Sequence, residues 1–197
     1  LALDHADTVS GVAVICSAAK IGEAGSWRER AELVERAGTP TLVEGSAPRW
    51  FADGFIAAHP ERTTGLLHTL QEADRHSYAR LCEALADFDV RGRLGEIAVP
   101  VLTIHGVADQ VTPPSAGEEI AAAVPGTVTH VFDETAHQAP LEQPERTAAA
   151  LAAFPARETV VPSLGILFGE ADADENDDDP RGPGVAVGLG PEDLDPA

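Results

Sequence analysis

Two polar residues stand where an apolar run gives way to a loop, and together they could move a proton. The run Val99–His105 (VPVLTIH) ends in Gly106-Val107-Ala108 and then Asp109; the run Val128–Phe132 ends in Asp133-Glu134-Thr135-Ala136 and then His137. A carboxylate that accepts a hydrogen bond from one imidazole nitrogen fixes the ring's tautomer. It also stabilises the imidazolium formed when the other nitrogen takes a proton. That is the chemistry of a general base serving a nucleophile. Alone, Asp109 reads as a capping aspartate and His137 as a solvated histidine. Their shared position, each after a strand-like run, favours a working pair. The 28 positions between them suit a loop, a helix and a neighbouring strand.

The pair needs a nucleophile, and none is evident. An elbow of the form G-x-S-x-G, whose small neighbours permit a sharp strand-to-helix turn, does not occur. Ser163 in Val161-Pro162-Ser163-Leu164-Gly165 matches half of it. Cys16 and Ser17 close an apolar run, but no helix-starting glycine follows them, and Cys16 and Cys82 read as reduced core thiols. The other histidines, His5, His59, His68, His76, His105 and His130, lack metal-ligand spacing such as H-E-x-x-H. Their spacing gives no sign of a metal site.

The elements that must position the pair follow from apolar periodicity. Leu1 to His5 reads as the last turn of a helix, and Val12 to Cys16 (VAVIC) as a buried strand. From Lys20 to about Arg93 the pattern is helical, with Glu29 to Arg36, Pro60 to Ala73 and Ser77 to Phe88 as helices between Gly and Pro clusters. Val99 to His105 is a second buried strand, Ser115 to Val124 a helix, Val128 to Phe132 a third strand, and Ala148 to Phe154 a helix with Pro144 at its start. Strands alternating with helices imply an α/β fold with a parallel sheet. Such sheets place ligands at the carboxyl ends of their strands, where Asp109 and His137 stand.

The charge is unevenly spread. Of the net −20, residues 158–197 contribute −10, with eleven acids against Arg181; the preceding 157 residues contribute the other −10, with twenty-two acids against twelve bases. A surface of that sign argues against nucleic acid as a partner. No stretch approaches the ~20 apolar residues of a membrane span, and no signal-like segment is visible, so a cytoplasmic protein without membrane attachment is expected. The run Asp174–Asp179 repels itself and offers little to bury, so residues 156–197 read as a disordered acidic tail, with Val160–Phe168 as an apolar interruption. The sequence holds no methionine, not even at position 1, which suggests that it begins inside a longer one.

Several segments together resemble the 3-oxoadipate enol-lactonases, a family of α/β-hydrolases. They are LALDH at residues 1–5, the strand ending CSAAKIG, SWRER, RWF, and the stretches around Asp109 and His137; the likeness covers residues 1–154. It implies the C-terminal portion of an α/β-hydrolase fold, about three parallel strands with flanking helices plus a helical cap. Residues 1–20 would be the end of the nucleophile helix and a core strand, 21–93 the cap, 94–155 the core with acid and histidine, and 156–197 the tail.

The resemblance further implies a serine upstream of Leu1, because in that family nucleophile precedes acid and histidine; Ser163, after His137, has the wrong order. An N-terminally truncated chain would then be inactive alone. The substrate implied is a small lactone bearing a carboxylate. Lys20 is the expected cation at its mouth, and Trp27 and Trp50 the expected apolar wall. A general esterase or haloperoxidase-like hydrolase, and a non-catalytic relative acting as a binding module, remain alternatives. The sequence leaves the oligomeric state open.

Overall fold

The computed structural model describes residues 1–154. The acidic tail expected over 156–197, with its apolar run and Ser163, lies outside the described residues.

Three strands, β1 (Val12–Ile15), β2 (Val101–Gly106) and β3 (Val128–Phe132), form one sheet in the order β1-β2-β3. Both pairings are parallel, with Val12 opposite Val101 and Leu102 opposite Val128. Every residue of the central strand β2 is buried, as expected of a parallel strand covered on both faces. Its side chains alternate. Leu102 and Ile104 join Cys16, Phe132, Ala139 and Ala150 in one cluster, whereas Val101 packs with Ala19, Leu94, Ile120 and Val124 in another. Removing most of a side chain such as Leu102, 0% exposed, would cost about 2–5 kcal/mol.

β1 differs from the buried strand expected at Val12–Cys16. It is only partly covered, and Ala13 is exposed. The reason is its position at the sheet's edge, since no strand among the described residues pairs with its outer side.

Between β1 and β2 the chain is helical. The elements are α1 (Ala24–Ala37), α2 (Val43–Trp50), α3 (Phe55–Ala58), α4 (Pro60–Glu72) and α5 (Arg75–Asp87). α1 packs on α5 through Ala31, Ala79 and Cys82, and Val34, Leu42 and Leu70 close a second small core. α1 stops at Gly38, which takes φ +81, a conformation a side chain would strain. α5 starts at Asp74, whose carboxylate accepts from the Ser77 N–H at 2.8 Å. α2 forms despite Gly45 and Pro48, which read as breakers in the sequence. Leu42, Ser46 and Trp50, four apart, face inward, and that packing outweighs poor propensity.

After β2 come α6 (Pro114–Ala123), α7 (Ala139–Glu142) and α8 (Pro144–Ala153), the last two on either side of Gln143. Leu1–His5 is a single hydrogen-bonded turn, with the His5 N–H donating to the Leu1 carbonyl. Among the described residues no helix is long and apolar enough to cross a membrane.

Candidate active site

The parallel pairing of β2 with β3 brings the loops after these strands side by side. Val107 N–H donates to the Phe132 carbonyl and Ala108 N–H to the Thr135 carbonyl, each at 2.9 Å. Gly106 makes this approach possible, because a Cβ there would collide with the Thr135 and Ala136 carbonyl oxygens. Glu134 takes φ +53, turning the second loop back toward the first. Asp109 and His137 therefore meet, with Asp109 Oδ2 3.0 Å from His137 Nδ1.

Asp109 is 3% exposed and its carboxylate is fully engaged. Oδ1 accepts from the Val111 N–H at 2.7 Å and the Thr112 N–H at 2.9 Å, while Oδ2 also accepts from the Thr112 hydroxyl at 2.9 Å. Burial alone would push this carboxyl up, but the hydrogen bond from His137, those from the Thr112 and Val111 N–H groups and the nearby imidazole together hold it below the usual carboxylate range. An ionised acceptor assigns the proton to Nδ1 of His137, which leaves Nε2 as the basic nitrogen. The His137 side chain is 19% exposed, reachable without being loose in solvent.

Behind the acid stands His105, 0% exposed, whose Nδ1 lies 3.1 Å from the Thr112 carbonyl. Gly117 on α6 lies so close that a Cβ would sit 2.6 Å from the His105 ring. His105 thus supports the turn that holds Asp109, a role its sequence position alone does not reveal. Thr112 could have been found from its spacing, three residues after a candidate acid. Glu142 was also unread. Its carboxylate accepts from the Ala136 N–H at 2.9 Å and the Ala52 N–H at 2.7 Å.

His137 opens on a cavity of about 620 Å³ that lies between the helical segment and the loop after β2. Trp27, Trp50, Tyr78 and Val111 line it. Lys20 does not line it; its ammonium pairs at 3.3 Å with Glu23, which does. The cations on the wall are Arg30 and Arg49. Arg30 donates to the Tyr78 hydroxyl from Nε at 3.3 Å and Nη2 at 3.0 Å, and its guanidinium lies 5.8 Å from the ring centres of Trp27 and Tyr78.

No serine or cysteine among the described residues hydrogen-bonds to His137. Ser26 and Ser46 border the cavity without such a contact. Cys16, at φ +44, turns its thiol to the Ala136 carbonyl at 3.7 Å. Burial pushes that thiol up to about 11, so it stays protonated and is no nucleophile at neutral pH. Among the described residues, no group of His, Cys, Asp and Glu has the arrangement of a metal site.

A profile of the alpha/beta hydrolase family matches residues 1–150. The chain belongs to that family. It is 39% identical over 145 residues to 3-oxoadipate enol-lactonase 2 of Acinetobacter baylyi, which covers 74% of this chain and 54% of that protein. It is 36% identical over 135 residues to 3-oxoadipate enol-lactonase 1 of the same organism, covering 68% and 50%. Among solved structures, the enol-lactonase from Burkholderia xenovorans LB400 superposes with a TM-score of 0.74 at 29% identity, over 77% of this chain and 58% of the other. The chain thus spans about half the length of the curated relatives it matches. Within this alpha/beta hydrolase frame, the three-stranded parallel sheet and its flanking helices are the part that carries the Asp109–His137 pair.

Proposed function

We propose that residues 1–154 supply the acid, the base and much of the substrate cavity of a hydrolase acting on an enol-lactone that bears a carboxylate. The observation that carries this is the 3.0 Å contact of His137 with an ionised, buried Asp109 at the wall of an aromatic cavity. The chain's likeness to two curated enol-lactonases supports the substrate class.

In this reading a serine outside residues 1–154 attacks the lactone carbonyl while His137 Nε2 takes its proton. The developing imidazolium is stabilised by Asp109 across Nδ1. Ring opening leaves an acyl-enzyme, with the His137 proton passing to the departing enolate oxygen. His137 then draws a proton from water, whose oxygen attacks the ester; as the bond to the serine oxygen breaks, His137 returns that proton to the oxygen and the dicarboxylate product leaves. The helical segment excludes bulk water, which strengthens each charge interaction inside. Arg30, steadied by Tyr78 and flanked by Trp27, takes the place expected of Lys20 as partner of the substrate carboxylate, with Arg49 as a second cation on the wall. No cofactor enters any step.

The test joins the chain to the part of the Acinetobacter baylyi relative that its match leaves uncovered, and follows lactone loss by ultraviolet absorbance. The chain alone should be inactive, the joined protein active, and the joined protein with His137→Ala inactive, each checked for folding by circular dichroism. Turnover by the chain alone at the joined protein's rate would overturn the division of labour. Undiminished turnover by the His137→Ala form would overturn the base. Preference for neutral aryl esters over the lactone would favour the general-esterase reading instead.

A further inference from the structure

Glu142 is 7% exposed, yet no cationic side chain pairs with it among the described residues. A buried carboxylate without a counter-charge is costly unless hydrogen bonds satisfy it. Here both oxygens accept backbone N–H groups from distant parts of the chain. Oε1 takes the Ala52 N–H at 2.7 Å and Oε2 takes the Ala136 N–H at 2.9 Å. Ala136 immediately precedes His137, and its carbonyl accepts the Cys16 thiol at 3.7 Å, so both of its backbone polar groups are held. Ala52 follows Trp50, which lines the cavity, and Phe51, which is 4% exposed. One side chain on α7 thus joins the cavity wall to the backbone that carries His137. A glutamine could not do this, because one of its two terminal atoms is a donor and would face an N–H.

We infer that Glu142 is a positioning residue that couples the seating of the helical segment at Trp50–Ala52 to the alignment of His137. The inference rests on the reading of His137 as the base. A shift of the helical segment at Trp50–Ala52 pulls on Oε1. The same carboxylate transmits that pull through Oε2 to Ala136. An unseated wall and a misaligned base then go together, whereas with the wall seated as here His137 Nδ1 stands 3.0 Å from Asp109 Oδ2.

The test reads His137 directly in the full 197-residue chain, through its Nδ1–H proton resonance, assigned by its loss in His137→Gln. Two variants approach the link from opposite ends. Glu142→Gln removes one acceptor at the hub. Ala52→Pro removes the N–H on the helical side and sets a ring carbon against Glu142 Oε1, so it breaks the same link without changing a residue of α7 or of the His137 loop; Phe51, at φ −120 and ψ 144, already has the extended backbone that a following proline requires. Glu145→Gln, exposed at the start of α8, is the control.

The coupling predicts that Glu142→Gln and Ala52→Pro both shift or broaden the His137 resonance and that Glu145→Gln leaves it in place. An unmoved resonance in folded Ala52→Pro would overturn the coupling, because a purely structural Glu142 would confine that variant's effect to the helical side. Should Glu142→Gln fail to fold, Ala52→Pro decides alone. In the joined enzyme, Glu142→Gln should lower kcat about 10- to 100-fold with a smaller change in KM, the signature of a misplaced base. If the joined enzyme proves inactive on lactones, the resonance still judges the coupling, so the two readings fail separately.

Discussion

Replacing Asp109 with asparagine tests the core of the site, because it keeps the size of the side chain and changes only what its oxygens can accept. Four hydrogen bonds converge on the carboxylate, two from backbone N–H groups at 2.7 and 2.9 Å, one from the Thr112 hydroxyl at 2.9 Å and one from His137 at 3.0 Å. An amide that keeps its oxygen toward the backbone pair turns an NH₂ toward His137. The imidazole must then accept at Nδ1 and carry its proton on Nε2, which removes the base. Hydrogen bonds to a charged group contribute about 1.5–3 kcal/mol each. Weakening two of them should lower stability by about 2–4 kcal/mol, or roughly 5–15 °C in Tm for a chain of this size.

The difference should also depend on pH. Burial pushes the Asp109 carboxyl up, but its hydrogen bonds and the imidazole bring it below its unfolded value. The stability it contributes is therefore fully present above the unfolded value, near 3.9, and is lost as pH falls through the lower, folded one. Thermal melts followed by circular dichroism from pH 7 to pH 3 should show the full gap between parent and Asp109→Asn at neutral pH, narrowing below about pH 4. A gap that stays constant over that range, or is absent at pH 7, refutes the account of how the carboxylate is held. In the joined enzyme the same change should lower kcat by about 10⁴-fold, as loss of the correct tautomer does elsewhere, equivalent to about 5 kcal/mol.

Other perturbations probe separate parts of the arrangement. Gly106→Ala should destabilise the chain by about 1–3 kcal/mol, because its Cβ meets the Thr135 and Ala136 carbonyls, which are backbone and yield only if the loop moves; an unchanged Tm would contradict the close approach. Arg30→Leu in the joined enzyme should raise KM for a carboxylate-bearing lactone about 10- to 100-fold and leave a neutral aryl ester little affected. Equal effects on both substrates would remove Arg30 from anion binding. With its thiol raised to about 11 by burial, Cys16 should resist a disulfide reagent at pH 8 in the native chain and react once denatured. Rapid labelling of Cys16 before unfolding, read by peptide mass, would show that the end of β1 opens.

What the sequence made legible was local. An apolar run followed by glycine and an acid, and another followed five residues later by a histidine, identify two strand ends, and parallel neighbours make those ends adjacent. Trp27 and Trp50 could be picked out as large aromatic groups in a helical stretch, and both line the cavity. Lys20 illustrates the limit. Closeness in sequence to a strand end does not say which way a side chain leaves it, and Lys20 turns to Glu23. Arg30 was within reach, since it stands three residues after Trp27 in one helix and so shares its face. α2 was obscured because tertiary packing of Ser46 and Trp50 outweighs the propensities of Gly45 and Pro48. Glu142 had no local signal at all, for its partners lie 90 and 6 residues away.

The pair's geometry belongs to the sheet more than to the helical segment above it. The backbone bonds from Val107 and Ala108 tie the acid loop to the histidine loop directly, and Gly106 and Gly117 let the neighbouring elements close over them without a side chain between. His105 braces Thr112 from below, and Thr112 braces Asp109 from the side. These supports come from β2, β3 and the loops that leave them, with Gly117 of α6 and Glu142 of α7 packed against them, so Asp109 can hold His137 whether or not a hydroxyl stands opposite Nε2. The helical segment enters this frame through Glu142 and the cavity wall; away from the Ala52–Glu142 link, its cavity-lining side chains can change substrate recognition while the acid and base stay fixed. Substitutions at Arg30, Trp27 or Trp50 should accordingly alter which ester is bound, whereas substitutions at Gly106, Thr112 or His105 should weaken turnover of every substrate alike.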